Sequence, residues 1–340
     1  MPVPAAALVV QTWTLALVLQ ASPLFHHHAA APLPDPRWID RAACPKTGAF
    51  GEALASTGDA LWIVRDATAT STPDFWRYDP ISDLWESRDT STLPDGVFRN
   101  GTALAWDGDR TIYALAGARY NDLDRTEFWR YDMVGDFWLQ IESTLGPQGA
   151  GNALNYCAWD GKLYAILGSR QHGTTFVRYD PAQGSWYELT PPPQKADDGS
   201  SLAWAGAGSL YAFVGEYSET VPHFDFFEYD LASDEWSSLA SVPDPGGVGD
   251  GASLLWAGAF DSRYTGSIHA LSGGAVDETP SVLVHRYSIA QDSWSAMADL
   301  TCEIGYYNGN RLGFADGFIY CWQGSRSTYL GSGKKLVRLE

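Results

Sequence analysis

Short apolar runs alternate with tight, glycine-bearing turns through almost the whole chain after residue 50. One unit runs Gly101-Thr102-Ala103-Leu104-Ala105-Trp106, turns at Asp107-Gly108-Asp109, and returns as Ile112-Tyr113-Ala114-Leu115-Ala116-Gly117. The same block recurs from Ala153 to Gly168, Gly199 to Gly215, Gly251 to Gly274 and Gly309 to Gly324, with a degenerate first copy from Gly51 to Asp66. Asp-Gly at 107, 160 and 316 predicts hairpins, because these residues adopt the left-handed backbone that tight turns need. Each block therefore predicts two antiparallel strands.

Downstream of the blocks comes an aromatic pair. Tyr78, Tyr131, Tyr179, Tyr229 and Tyr287 are each followed seven residues later by Trp85, Trp138, Trp186, Trp236 and Trp294. The tyrosines lie 53, 48, 50 and 58 residues apart, enough for one four-stranded unit each. The expected unit is strand, hairpin, strand, loop, a strand ending at Tyr, a turn, and an outer strand beginning at Trp.

These residues resemble the Kelch repeat of β-propellers, which is marked by glycine at the end of the second strand and by spaced Tyr and Trp in the third and fourth. The resemblance covers Trp38 to Glu340. It implies an all-β fold, a six-bladed Kelch-type propeller. Only Gly273-Gly274 shows the double glycine, and the first unit has Arg65-Asp66 there. Six hairpin blocks meet five Tyr/Trp pairs. The last strand stops at Leu339-Glu340, with Leu339 at the Tyr position, whereas Trp38 opens an outer strand with no blade of its own. Pairing these two would close the sixth blade from both termini and remove an open sheet edge. The expected organisation is a leader over 1–31, a linker over 32–37 and the propeller over 38–340.

The chain has 340 residues, with 22 Lys and Arg against 41 Asp and Glu and a formal charge of −19. So acidic a chain lacks the basic stripe that nucleic acid requires. Aromatic residues make up 14%, which raises carbohydrate stacking, but invariant Tyr-to-Trp spacing assigns most of them to packing between blades. Loop residues Tyr120, Tyr217 and Tyr306 are better stacking candidates. Cys44, Cys157, Cys302 and Cys321 are scattered and expected as buried free thiols.

No charged side chain precedes Asp35, the stretch from Val3 to Leu19 is apolar, and Ala29-Ala30-Ala31 offers a small-residue cleavage site. Together these predict a secreted or periplasmic protein; an uncleaved leader would anchor it in a membrane, and a mis-started N-terminus would leave it cytoplasmic. His26-His27-His28 reads as a polar interruption of that leader.

Ligand chemistry is expected where the loops between strands two and three converge with those joining blades. Arg119, Arg170 and Arg326 each stand two residues beyond the second-strand glycine of a different blade, with Tyr217 and Thr68 at the same place elsewhere. Arg99, Asn100, Asn152, Asp198, Asp250 and Tyr306-Tyr307-Asn308 come from the blade-joining loops. Converging guanidinium groups suit a small anionic ligand, an acidic glycan or a protein loop. They equally suit ion pairs with carboxylates such as Glu216 that tie adjacent loops together.

His172 and His223 lack a third ligand, no P-loop, H-E-x-x-H or nucleophile elbow occurs, and neither metal nor cofactor is expected. The leading expectation is a binding module with its ligand on the loop face. The first alternative, implied by resemblance to the six-bladed sialic-acid mutarotases, is a sugar-acid mutarotase using Arg170 or Arg326 for the carboxylate and Glu216 or Asp66 for proton transfer. The second is a protein-interaction scaffold.

Overall fold

The computed structural model describes residues 36–46, 52–65, 71–117, 125–169, 173–197, 199–215, 223–249, 251–273, 283–300, 310–323 and 335–340. They form six four-stranded antiparallel sheets arranged as the blades of a ring, with two single-turn 3-10 segments besides. The expected leader, residues 1–31, lies outside the described residues.

The inner strands are Ala53–Ser56, Ala103–Trp106, Ala153–Cys157, Ser201–Trp204, Ser253–Leu255 and Arg311–Ala315, in blades 1 to 6. Blade 6 closes as the sequence requires. Trp38–Asp40 pairs with Lys335–Leu339, and Trp38 faces Leu339 as Trp85 faces Tyr78 in blade 1. Arg37 and Glu340 extend the ladder by exchanging backbone hydrogen bonds of 3.0 and 2.9 Å. The closing strand is shorter than the run from Trp38 to Cys44.

Between blades, a third-strand phenylalanine meets the next blade's outer tryptophan: Phe75 lies 4.9 Å from Trp138, and Phe176 lies 5.0 Å from Trp236, edge to face. The tyrosine of each pair is also buried, and in blades 1, 2, 4 and 5 it is polar-anchored. Tyr78, Tyr131, Tyr229 and Tyr287 donate to Asp83, Asp136, Asp234 and Asp292 over 2.6 to 2.8 Å. These aspartates sit at the turn before the outer strand with φ between 44° and 59°, a left-handed conformation their side chains tolerate. Each also accepts from a backbone N–H of the preceding blade, as Asp234 does from Thr190, while Trp236 Nε1 donates to Thr190 O. One outer-strand residue is thereby held at both its N–H and its C=O by the next blade.

Cys44, Cys157 and Cys321 are buried free thiols. The family's second-strand glycine has a steric reason: a Cβ on Gly117 would lie 2.0 Å from Asn100 O in its own blade. In blade 1 the register puts Asp66, outside the described residues, at this position; Arg65, where blade 2 has Ala116, is buried and lies 3.9 Å from the buried Glu52 and 3.7 Å from Asp74.

Candidate functional site

The inner edges of the six blades enclose an axial cavity of about 220 Å³. An inner edge strand exposes unpaired backbone groups, which are expensive to leave unsatisfied. Neighbouring blades supply the partners: Leu254 N donates to Ser201 Oγ and Leu312 N to Ser253 Oγ, both at 3.0 Å, and Trp204 N donates to Asn155 Oδ1 at 2.9 Å. Short polar side chains on the wall therefore stitch blades together.

Equivalent positions along the inner strands form layers. The central layer is Leu in every blade, Leu54, Leu104, Leu154, Leu202, Leu254 and Leu312. Toward the hairpins follows an aromatic collar of Trp106, Tyr156, Trp204 and Trp256. Blade 1 has Ser56 at the collar position, and its gap is taken by Phe260, which reaches across from the longer hairpin of blade 5. Phe260 stacks 5.4 Å from Phe314 and 6.1 Å from Trp106. Its seat requires Gly58, whose φ is 85° and on which a Cβ would stand 2.9 Å from Phe260 Cδ1. The lining continues to Gly108, Ala158 and Ala259, all exposed, so the cavity opens on the hairpin face.

The other end is more polar. Glu52, Thr102, Asn152, Ser200, Ala252 and Asn310 are buried there. Arg311 stands where the other blades carry Ala53, Ala103, Ala153, Ser201 and Ser253, and its guanidinium lines the cavity floor. Among the described residues, its hydrogen-bond partner is Asn310 O at 2.9 Å. Burial pushes its pKa down to about 10, against the pull of the buried Glu52 carboxylate, so it stays charged at neutral pH. Glu52 is itself held by Trp322 Nε1 at 2.6 Å. Asn152 lines the same floor: Oδ1 accepts from Gly149 N at 3.1 Å, while the buried Nδ2 has no hydrogen-bond partner among the described residues. No Asp or Glu is among the described lining residues. The floor is a set of donors around one cation.

Of the expected site residues, Arg119, Arg170, Glu216, Tyr217, Tyr307 and Arg326 lie outside the described residues, as do Asp66, Tyr120, Tyr306 and His172. Arg99 is buried and Asn100 half-buried, and neither lines the axial cavity. Both the amide and the hydroxyl of Thr102 donate to Arg99 O. Asn152 is the expected loop residue that reaches the cavity. Arg311 and the collar escaped the sequence reading, although an arginine at a position otherwise Ala or Ser was a visible signal. Among the described residues no cluster of three or more His, Cys, Asp or Glu is placed to hold a metal ion.

Fold and site together define a six-bladed β-propeller, its ring closed by the N-terminal strand, with an axial cavity that opens on the hairpin face. No family model matches the chain. It is similar to Kelch repeat and BTB domain-containing protein 13 of Homo sapiens, 29% identical over 175 residues, 47% of this chain and 34% of that protein. Similarity extends to Kelch-like protein terF of Aspergillus terreus, 25% identical over 164 residues, 44% and 33% of the two chains. Kelch repeat and BTB domain-containing protein 8 of Xenopus tropicalis is 24% identical over 208 residues, 57% and 30%. With the repeat spacing and the six blades, these matches support a Kelch-repeat β-propeller. The chain spans about a third of the length of the curated relatives it matches.

Proposed function

We propose that this propeller is a binding module whose hairpin face docks a protein partner. The observation that supports this is where exposed apolar side chains fall. Among the described residues, Ile81, Leu84, Val134, Phe137 and Trp159 are exposed and belong to or adjoin turns of that one face, while Leu139 and Tyr187 are exposed on outer strands and Leu145 in the loop that follows one. Ile81 and Val134 are 83% and 78% exposed, and the equivalent turn positions of blades 3 to 5 hold Ala182, Ala232 and Ala290. Leu84 and Phe137 likewise correspond to Ser185, Glu235 and Ser293. The apolar side chains of this face are thus confined to blades 1 to 3. Single exposed apolar residues are ordinary, but a one-sided concentration marks an interaction surface. An exposed Trp such as Trp159 supplies the large contact area typical of interface anchors.

The test is selection of peptides from a random phage-displayed library on the wild-type propeller, then their affinity for Ile81→Ser/Val134→Ser and for Trp159→Ser. The expected result is weakening by about tenfold or more in at least one of the two. Peptides that bind both variants as tightly as wild type would place the docking surface elsewhere.

A further inference from the structure

The axial cavity has a sequence of chemistries along its depth. Its mouth is aromatic, its middle is a ring of six leucines, and its floor is lined by Arg311 with donors, the Glu52 carboxylate being buried behind the lining. From the layer of Arg311 to the layer of Phe314 is three residues of strand, roughly 10 Å. The carboxylate that acts on Arg311, Glu52, is shared with Arg65 at 3.9 Å and with Trp322 at 2.6 Å, so two guanidinium groups face one carboxylate, and an anion entering the cavity is met by charge-assisted bonds in a low-dielectric setting. Asn152 Nδ2, buried without a hydrogen-bond partner among the described residues, adds a neutral donor whose satisfaction removes the cost of an orphaned polar group. Ser201 and Ser253 each accept a neighbour's N–H, so their own O–H protons remain to donate.

We infer that this cavity is a binding site for a carboxylate carried on an apolar stem, the carboxylate on Arg311 and Asn152 and the stem within the leucine ring. The inference stands apart from the docking of a protein partner, since the cavity holds only a small group. Two sources share this chemistry, a free short-chain acid and the C-terminal carboxylate of a chain ending in an apolar residue. A bare anion lacks the stem, and an uncharged or cationic chain lacks the counter-charge for Arg311.

Calorimetric titration of the wild-type protein with hexanoate, acetate, hexanol and hexylammonium tests this directly. Hexanoate is expected to bind saturably, with each of the others weaker by about tenfold or more. In Arg311→Gln, folded by its thermal transition, the preference for hexanoate over hexanol is expected to vanish. Should that variant not fold, the selectivity of the wild type decides by itself. Hexanol or hexylammonium binding as tightly as hexanoate, no saturation by hexanoate up to about 10 mM, or an Arg311→Gln variant that keeps the preference would each overturn the site. A pentapeptide ending in Leu with a free carboxylate, compared with its amide, separates the sources: tighter binding than hexanoate that is lost on amidation assigns a chain end, and weaker binding assigns a free acid.

Discussion

The ring of Phe260 lies 6.1 Å from that of Trp106 at an interplanar angle of 20°, although one belongs to blade 5 and the other to blade 2. The contact exists because blade 1, which lies between blades 6 and 2 in the ring, offers only Ser56 at the collar and a glycine beside it. Gly58→Ala places a methyl against Phe260 in a backbone conformation that costs an L-residue about 1–2 kcal/mol. Phe260→Ala alone is expected to cost about 1–3 kcal/mol. In the double variant the costs should be less than additive, because the methyl no longer meets a ring. Urea unfolding of the four proteins checks this, and strict additivity would show that Gly58 does not serve as the seat.

Closure of blade 6 depends on a strand of three residues, yet Trp38 is buried and its Nε1 donates to Ala298 O at 2.9 Å in blade 5. The N-terminal strand therefore holds two blades together. Removal of residues before Ala43 should lower the unfolding midpoint strongly, and Trp38→Ala alone should cost about 3–5 kcal/mol. A truncated protein with an unchanged midpoint would show that the ring does not need this closure.

Asp234 joins Tyr229 of its own blade to Thr190 of the preceding one, at 2.6 and 2.9 Å. Asp234→Ala leaves a buried hydroxyl without its acceptor, for an expected loss of about 1–3 kcal/mol in equilibrium unfolding. Blade 3 has Gly184 at the matching turn position, with φ 64°, and no side chain there to make this clasp. Gly184→Ala is therefore expected to show only the left-handed backbone penalty, about 1–2 kcal/mol.

His269 is 1% exposed, and burial pushes its pKa from 6.5 down to about 4, with Arg286 acting in the same direction. The unfolded chain takes up this proton near pH 6.5 and the native chain only near pH 4, so the unfolded state binds more protons in between. Stability should fall as pH drops through that window and its His269 component should level off below it. His269→Gln is expected to flatten this part of the pH profile of the urea midpoint, and an unchanged slope would assign it to other groups.

The Tyr-to-Trp spacing and the closure by Trp38 were legible because every blade needs the same cross-strand contact, so repetition exposes the architecture. The aspartate five residues after the tyrosine is equally repetitive in blades 1, 2, 4 and 5, but its meaning required seeing that it reaches the preceding blade. Arg311 lay hidden because it sits inside a strand, one residue before the invariant Leu, where attention falls on the loops on either side. Phe260 was illegible for a different reason. Its neighbours in space are Phe314 and Trp106, and nothing in the local pattern of a lengthened hairpin says how far it reaches.

The proposed partner docks on the hairpin face, onto which the axial cavity opens. The most direct measurement is hydrogen exchange of the wild-type propeller with and without a saturating peptide selected on it. Slowed exchange is expected in the turns around Ile81, Val134 and Trp159. Protection confined to the opposite face, around Arg99, Gly149 and Ala196, with those turns unchanged, would contradict it.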